Sequence, residues 1–465
     1  MAQRHTAAGF WLDEVGELDP CPPLPGDRRA DVIVVGAGYT GLWTAWHLKA
    51  IEPDAEVVVV EAGLAGAGPS GRNGGFCNAL WYWVPVMRER FGDEPARELA
   101  LAAQASVDAI GSFCAEQQVD AWYRRGGYMR VSTAPAWDRD SEDVIAACDE
   151  LGLPGACVRL SAEEVRSRCA SPVFRAGALY PGAATVQPAR LARGLRDRVR
   201  AAGVSLFENT PVVDVSRRGG DVVVRCGRGE VVAGAAVMAT GGALVGVPRL
   251  RRRLPVTSSH RVLTEPVPDL HEELGWTGGE CITDARAMVH YFRTTPDGRI
   301  AFGWGAGDVV RGARTGGRAE VDPEVIAEVE RHLVRFFPGL GGRRIELAWG
   351  GPVDVSPSHL PVVVEIDDRI HAGFGYSGHG VGPSHMVGRS LASLALERRD
   401  APASLAYVEP EPLRVPPEPF RYVGGRIIRR AILRLEEAME RGERPGSLTR
   451  LVAGIPERVG IHIGR

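Results

Sequence analysis

The stretch Asp31-Val32-Ile33-Val34-Val35-Gly36-Ala37-Gly38-Tyr39-Thr40-Gly41 constrains the fold more than any other part of the chain. A β-branched apolar run enters a G-x-G-x-x-G turn without a spacer. Gly36 permits the tight turn, Gly38 lets a pyrophosphate approach the backbone, and Gly41 lets the next helix pack closely on the strand. That helix, expected over Tyr39 to Lys49, turns its N-terminal N–H groups and dipole towards an anion, which places Tyr39 and Thr40 at the ligand. A second strand from Glu56 to Val60 ends on Glu61, where a carboxylate suits two free ribose hydroxyls and repels a 2′-phosphate. The expected ligand is FAD or NAD, and not NADP.

A chain of 465 residues exceeds one typical domain, so two interleaved domains are expected. Apolar residues make up 45% and charged residues 24%, an ordinary globular composition. A net charge of −3 gives no electrostatic case for nucleic acid. Eight scattered cysteines without a C-x-x-C pair suit reduced thiols and a cytoplasmic setting, and no cysteine or histidine spacing suits a metal. There is no secretory signal pattern at the N-terminus and no apolar run of membrane-spanning length.

Residues 1–30 form a Pro-rich lead expected to wrap the surface without regular structure. Nucleotide-domain strands are expected near residues 32, 57, 205, 235 and 371. The expected fold is α/β, with a Rossmann-like domain from 31–90, 150–250 and 345–400 interleaved with an antiparallel-sheet substrate domain from 91–149 and 251–344. A C-terminal extension over 401–465 carries an amphipathic helix from Glu418 to Arg441. Its apolar stripe includes Phe420, Ile427, Ala431 and Leu435, with arginines opposite. Such a stripe docks on the protein's own body more often than on a membrane.

One glycine turn does not separate FAD from NAD, but a dinucleotide lying across a sheet needs several close backbone approaches, and four are present. They are Gly36 to Gly41, Ser70-Gly71-Arg72-Asn73-Gly74-Gly75, Ala239-Thr240-Gly241-Gly242 and Gly375-Tyr376-Ser377-Gly378-His379-Gly380. Together they resemble the D-amino-acid-oxidase-like family of FAD-dependent amine oxidoreductases, which includes glycine oxidase and sarcosine oxidase. The resemblance runs from about 10 to 455 and is closest to the γ-glutamylputrescine oxidoreductase-like branch, through the Arg-Asn-Gly-Gly loop, Tyr291-Phe292-Arg293 and an Arg-rich C-terminal helix.

The resemblance implies that Gly36, Gly38 and Gly41 meet the FAD pyrophosphate and Glu61 the adenosine ribose. It sets Ser70, Arg72, Asn73, Gly74 and Gly75 along the pyrophosphate and flavin ring, with Val213 at adenine through its backbone. Thr240 and Gly241 approach the pyrophosphate, and Gly378, His379, Gly380 and Val381 lie beside the flavin. Sarcosine oxidases attach flavin through a cysteine that matches near Gly350 here, so FAD is expected to be non-covalent. They activate oxygen with a lysine that matches within Arg299 to Gly305 and clamp a carboxylate with another near Gly382. The only lysine in this chain is Lys49, so neither exists and a small α-amino acid is disfavoured.

Four residues are candidates for work at the flavin face. His379 is either a polar or proton-handling group or a residue that shapes the turn. Tyr291 and Arg293 share one face of an alternating strand, looking into a cavity or into solvent. Trp349, before Gly350, is similar. Trp81-Tyr82-Trp83 either walls an amine pocket or packs in the core. The implied function is oxidation of a small-molecule amine, with oxygen or another acceptor taking the electrons. An amino-acid oxidase or dehydrogenase and a non-catalytic FAD-binding subunit remain as alternatives.

Overall fold

The computed structural model describes residues 4–313, 316–410 and 413–463, so the first three residues of the lead and parts of the C-terminal extension lie outside the described residues. Two large sheets organise the chain. The nucleotide sheet has a parallel core ordered Ser205–Phe207, Val57–Val60, Arg28–Val35, Gly229–Met238 and Ile370–Phe374. These are the five strands expected from the sequence, legible because each is a short apolar run ending in a turn signal. Val212–Arg218 and Asp221–Cys226 extend the sheet from Gly229–Met238 as an antiparallel meander, and Val362–Asp367 pairs antiparallel with Ile370–Phe374. Strands buried on both faces need cover on both. Helices Tyr39–Ile51, Pro188–Ala201 and Val381–Ala395 cover one face, and an apolar layer with Leu24, Leu250, Leu254 and Phe374 covers the other.

The second sheet has nine strands among the described residues. Its order is Arg4–His5, Ile345–Asp354, Val256–Thr264, Ile300–Trp304, His290–Thr294, Cys281–Asp284, Tyr128–Val131, Gly177–Tyr180 and Val158–Leu160. Alternation gives it two unlike faces. Met129, Val262, Ile282, Phe292 and Phe302 pack with the helix Pro323–Phe336, whereas Tyr128, Arg130, Ser259, Arg261, Tyr291 and Arg293 occupy the opposite register positions. That polar and aromatic face meets the nucleotide half.

Three placements differ from expectation. Val158–Leu160, Gly177–Tyr180 and Ile345–Asp354 join the second sheet although they fall in stretches allotted to the nucleotide domain. Val158–Leu160 and Gly177–Tyr180 are too short to signal which sheet they enter. The lead is not free of regular structure: Arg4–His5 pairs with Ile345–Asp354, and the helix Phe10–Glu14 buries Trp11 completely. Its later part is pinned by buried Glu208, which accepts from the backbone N–H groups of Cys21 (2.5 Å) and Ala65 (2.8 Å) and pairs with Arg196 (2.8 Å).

The C-terminal helix, Phe420–Glu440, also departs from its expected stripe. Phe420 and Ile427 are exposed, while Arg421, Ala431, Ile432, Glu436 and Ala438 face the body. The docked face is set by charge as much as by apolar area. Glu436 accepts from the N–H groups of Ala287 and Met288, and Glu440 pairs with Arg286 (3.2 Å) and Arg335 (2.5 Å).

Candidate active site

The strand–turn–helix at residues 28–51 builds the first wall of the site. Gly36 has φ 101°, and a Cβ there would lie 2.7 Å from the Ala239 carbonyl oxygen. A Cβ on Gly41 would fall 1.9 Å from the Gly36 oxygen, so the helix can start this close only with glycine. Gly38 stands beside Ser70, whose hydroxyl accepts from the Tyr39 N–H at 2.9 Å. Thr40 pairs its hydroxyl with that of Tyr376 (2.6 Å), tying the first glycine turn to the last. Tyr39 itself is buried, its hydroxyl donating to the Pro188 carbonyl.

Glu61 accepts one backbone N–H on each carboxylate oxygen, from Ala37 (2.8 Å) and Gly63 (2.9 Å). Each oxygen keeps a second lone pair for a ribose hydroxyl. Gly241 (φ 53°) and Gly378 (φ 88°) both lie in the left-handed region, and a Cβ on either would meet nothing within 4 Å. Backbone that requires glycine and faces open space gives room for a ligand. Val213 sits at a register shift between Val212 and Asp214, with its side chain exposed, so its backbone is free of the ladder. Two helices, Tyr39–Ile51 and Val381–Ala395, begin at these turns without an N-cap side chain, although Ser70 takes up the Tyr39 N–H of the first. A carboxylate able to accept from ribose hydroxyls, two helix N-termini and open glycine faces together fit FAD.

The loop after the short helix Pro69–Arg72 is held by its carbonyls. The Arg72 oxygen accepts from Arg261 Nη1 (2.7 Å) and Trp349 Nε1 (3.0 Å), and the Asn73 oxygen from Trp11 Nε1 (2.8 Å). The Gly75 oxygen accepts from Arg293 Nη1 (3.1 Å), which also reaches the Val186 oxygen (2.6 Å). The Asn73 side chain closes the loop on itself, donating to the Ser70 carbonyl and accepting from Gly75 N–H. Arg72 turns its guanidinium outward to Glu320 (3.0 Å) and the Ala7 carbonyl.

Two of the four flavin-face candidates therefore act on the loop. Trp349 is fully buried and Arg293 is 2% exposed, both spending their N–H groups on backbone carbonyls. Both side chains thereby hold the loop in place. Burial pushes the Arg293 guanidinium down to about 10, and its charge rests on carbonyls and on the Trp11 ring 5.6 Å away.

Tyr291 and His379 spend no hydrogen bond on the loop carbonyls. Tyr291 is half-buried, its ring carbons 3.5 Å from where a Cβ on Gly74 would lie and its hydroxyl 2.7 Å from Ser259 Oγ. Phe76 stands edge-on to Tyr291 at 6.1 Å and 6.5 Å from Tyr128, which stacks on Tyr180 at 5.1 Å. His379 Nδ1–H donates to the Ser377 carbonyl (3.1 Å), and its ring lies edge-on to Trp83 at 5.9 Å. Burial pushes the imidazole down to about 4, so it is neutral near pH 7 with Nε2 as an acceptor. Trp81 and Trp83 are buried, and Tyr82 lies under the Arg130 guanidinium at 4.3 Å.

Trp11, Tyr128, Arg130 and Arg261 escaped sequence reasoning. Arg261 follows Ser259 at the strand period, and alternation alone could have put both on one face. Trp11 had no local signal, because its partner is a carbonyl far along the chain.

With that geometry in view, the comparisons with known proteins agree in one direction. The family described as FAD dependent oxidoreductase (DAO) matches residues 31–394. A probable oxidoreductase, OrdL, of Rhizobium meliloti is 31% identical over 81% of this chain and 85% of its own length. The γ-glutamylputrescine oxidoreductase of Escherichia coli is 31% identical over 91% of this chain and 95% of its own. A glycine oxidase from Geobacillus kaustophilus shares the fold with a TM-score of 0.66 at 20% identity, covering 80% of this chain and 96% of that one. The glycine turns, Glu61 and the two-sheet architecture thus have one common explanation: the chain belongs to the DAO family of FAD-dependent oxidoreductases.

Proposed function

We propose that this enzyme oxidises the C–N bond of an amine (polyamine-derived, γ-glutamyl or N-substituted) to an imine that water hydrolyses to a carbonyl. The observation that carries this reading is the cluster of Phe76, Tyr128, Tyr180 and Tyr291 rings beside the Asn73–Gly75 loop. Aromatic faces accept an amine and the cationic character it develops as its electrons leave. The γ-glutamylputrescine oxidoreductase of matching length supports the same substrate class. When bound, FAD takes up the hydride from the carbon next to nitrogen.

The chain's own residues orient and shield. Trp11, Arg261, Arg293 and Trp349 fix the Arg72–Gly75 loop, which would help to hold FAD beside the aromatic cluster. Neutral His379 offers Nε2 to an amine N–H without supplying charge. The helix Val381–Ala395 directs its N-terminal dipole at the turn where negative charge would develop. With no cysteine near Gly350, FAD is held non-covalently. Eight free, buried cysteines support a cytoplasmic setting.

A second reading of the electron acceptor has its own support. With Lys49 the only lysine and His379 neutral, the groups expected to stabilise superoxide are missing, which favours a dehydrogenase passing electrons to a quinone or carrier protein. Carbonyl products trapped with a hydrazine after turnover on an artificial acceptor test the main reading, and the peroxide yield under air separates the two acceptors. Turnover without a trapped carbonyl would refute C–N oxidation.

A further inference from the structure

Large apolar side chains that stand in solvent are concentrated at one end of the chain. Among the described residues, seven of the eleven fall between Phe420 and Val459. Single exposed apolar residues are ordinary, but a run of them marks a surface that something covers. On the helix Phe420–Glu440 they are Phe420, Val423 and Ile427, spaced to share one face, with Phe420 70% exposed. The chain turns back at Gly442 (φ 70°), and the helix Ser447–Ala453 packs against the longer one. Leu448, Leu451, Ile455 and Val459 stand out from this return stretch. It ends with the His462 N–H on the Pro357 carbonyl (2.9 Å). Pro357 lines one hollow with Arg253, two residues from the Arg251 carbonyl to which Arg421 donates. The return stretch thus runs beside the helix back to its first turn, and the two sets of apolar side chains form one exposed region.

Charge identifies the occupant. The chain carries −3 overall, yet residues 420–465 hold ten arginines against five glutamates and no aspartate. Glu436 and Glu440 are turned to the body, where they meet Ala287, Met288, Arg286 and Arg335. Arg430, Arg434, Arg444, Arg450 and Arg458 are exposed and make no ion pair among the described residues. Arg430 and Arg434 continue the solvent face of Val423 and Ile427 at helical spacing, and Arg450 and Arg458 sit next to Leu451 and Val459. A second copy docked here across a two-fold axis would set like charges together. A protein partner's interface keeps charge to its rim, whereas here arginines alternate with the apolar side chains. That interleaving suits phosphate headgroups standing over acyl chains, where guanidinium forks grip phosphate and the apolar tips enter below it.

We propose that the C-terminal helix and its return stretch form a peripheral docking surface for an anionic phospholipid membrane. No helix among the described residues is long and apolar enough to cross one, so the contact is made at headgroup depth. The negative surface of a bilayer draws the arginines in, and the apolar side chains hold the contact once it is made. Docking would keep the enzyme at the phase that dissolves quinones, the acceptor of the second electron-transfer reading. The docking itself does not rest on that reading or on the identity of the amine.

The test is co-sedimentation of the FAD-loaded holoenzyme with vesicles of phosphatidylcholine alone, or of phosphatidylcholine with about one third phosphatidylglycerol, at low and at high salt. The wild type is expected to partition onto the anionic vesicles at least about tenfold better than onto the neutral ones, and to be released by salt. Arg430→Glu with Arg434→Glu, and separately Phe420→Ser with Ile427→Ser, are each expected to lower that partitioning about tenfold. All four side chains are exposed, so FAD content and melting temperature should stay as in the wild type. Equal binding to neutral and anionic vesicles, binding to neither, or binding that both double variants retain would overturn the proposal. So would a concentration-dependent dimer, seen by light scattering, that Phe420→Ser with Ile427→Ser dissolves, since a second copy would then cover this surface.

Discussion

Glu61 spends one lone pair of each carboxylate oxygen on a backbone N–H and keeps the other for the ribose. Glu61→Gln places an NH2 group against one of those N–H donors and removes the charge. FAD affinity is expected to fall by ~1–3 kcal/mol, the scale of a charge-assisted hydrogen bond, and unchanged affinity on titration of the apoprotein would move the ribose contact elsewhere. His379 makes a different kind of test. Its pKa is lowered to about 4, so it gains a proton only as pH falls through that value and stays neutral across the working range. The kcat profile from about pH 5.5 to 9 should keep its shape in His379→Ala, and reoxidation of the reduced enzyme by air should be no slower. A limb near pH 6.5 that disappears with the histidine would show that it titrates during turnover. At this scale the sequence was legible where a requirement is local, as at Gly36 and Gly41, whose neighbours forbid a side chain. It was not legible for Arg293 and Trp349. Their residue types suggested chemistry, while their partners, the carbonyls of Gly75 and Arg72, are set by how two distant segments meet.

Elements were readable in proportion to their periodicity and length. Arg28–Val35 and Val57–Val60 carried runs of β-branched residues, the other three parallel strands were short apolar stretches, and the helices Asp93–Glu116 and Pro323–Phe336 carried apolar residues at helical spacing. Val158–Leu160 and Gly177–Tyr180 were too short to declare their sheet, and the C-terminal helix was misread because its docked face carries Arg421 and Glu436. Buried Glu436 gives that helix a pH dependence. Burial raises its pKa to about 7 against an unfolded value near 4.5. A raised carboxyl pKa stabilises fully below the unfolded value and loses that contribution as pH rises through about 7. The melting temperature of the wild type relative to that of Glu436→Gln should therefore drop between about pH 5 and 7 and level off above about pH 7.5. Parallel curves for the two proteins would mean that Glu436 is ionised throughout.

At the scale of the whole molecule, two sheets enclose a loop whose carbonyls are clamped by residues from the lead and from three strands of the second sheet. The arrangement fixes that loop beside a cluster of aromatic rings. The family was legible because four glycine-rich turns recur along one chain, each needed by the same extended ligand. The substrate was not, since the cluster is assembled from Phe76, Tyr128, Tyr180 and Tyr291, which no single segment brings together. The central claim is that this cluster delivers an amine to FAD. Anaerobic titration of the holoenzyme with γ-glutamyl amines, polyamines, N-methyl amines and amino acids, followed by flavin absorbance, tests it most directly. The account predicts stoichiometric bleaching of the oxidised flavin by at least one amine. A flavin that dithionite reduces, but that stays oxidised with every amine offered, would contradict it.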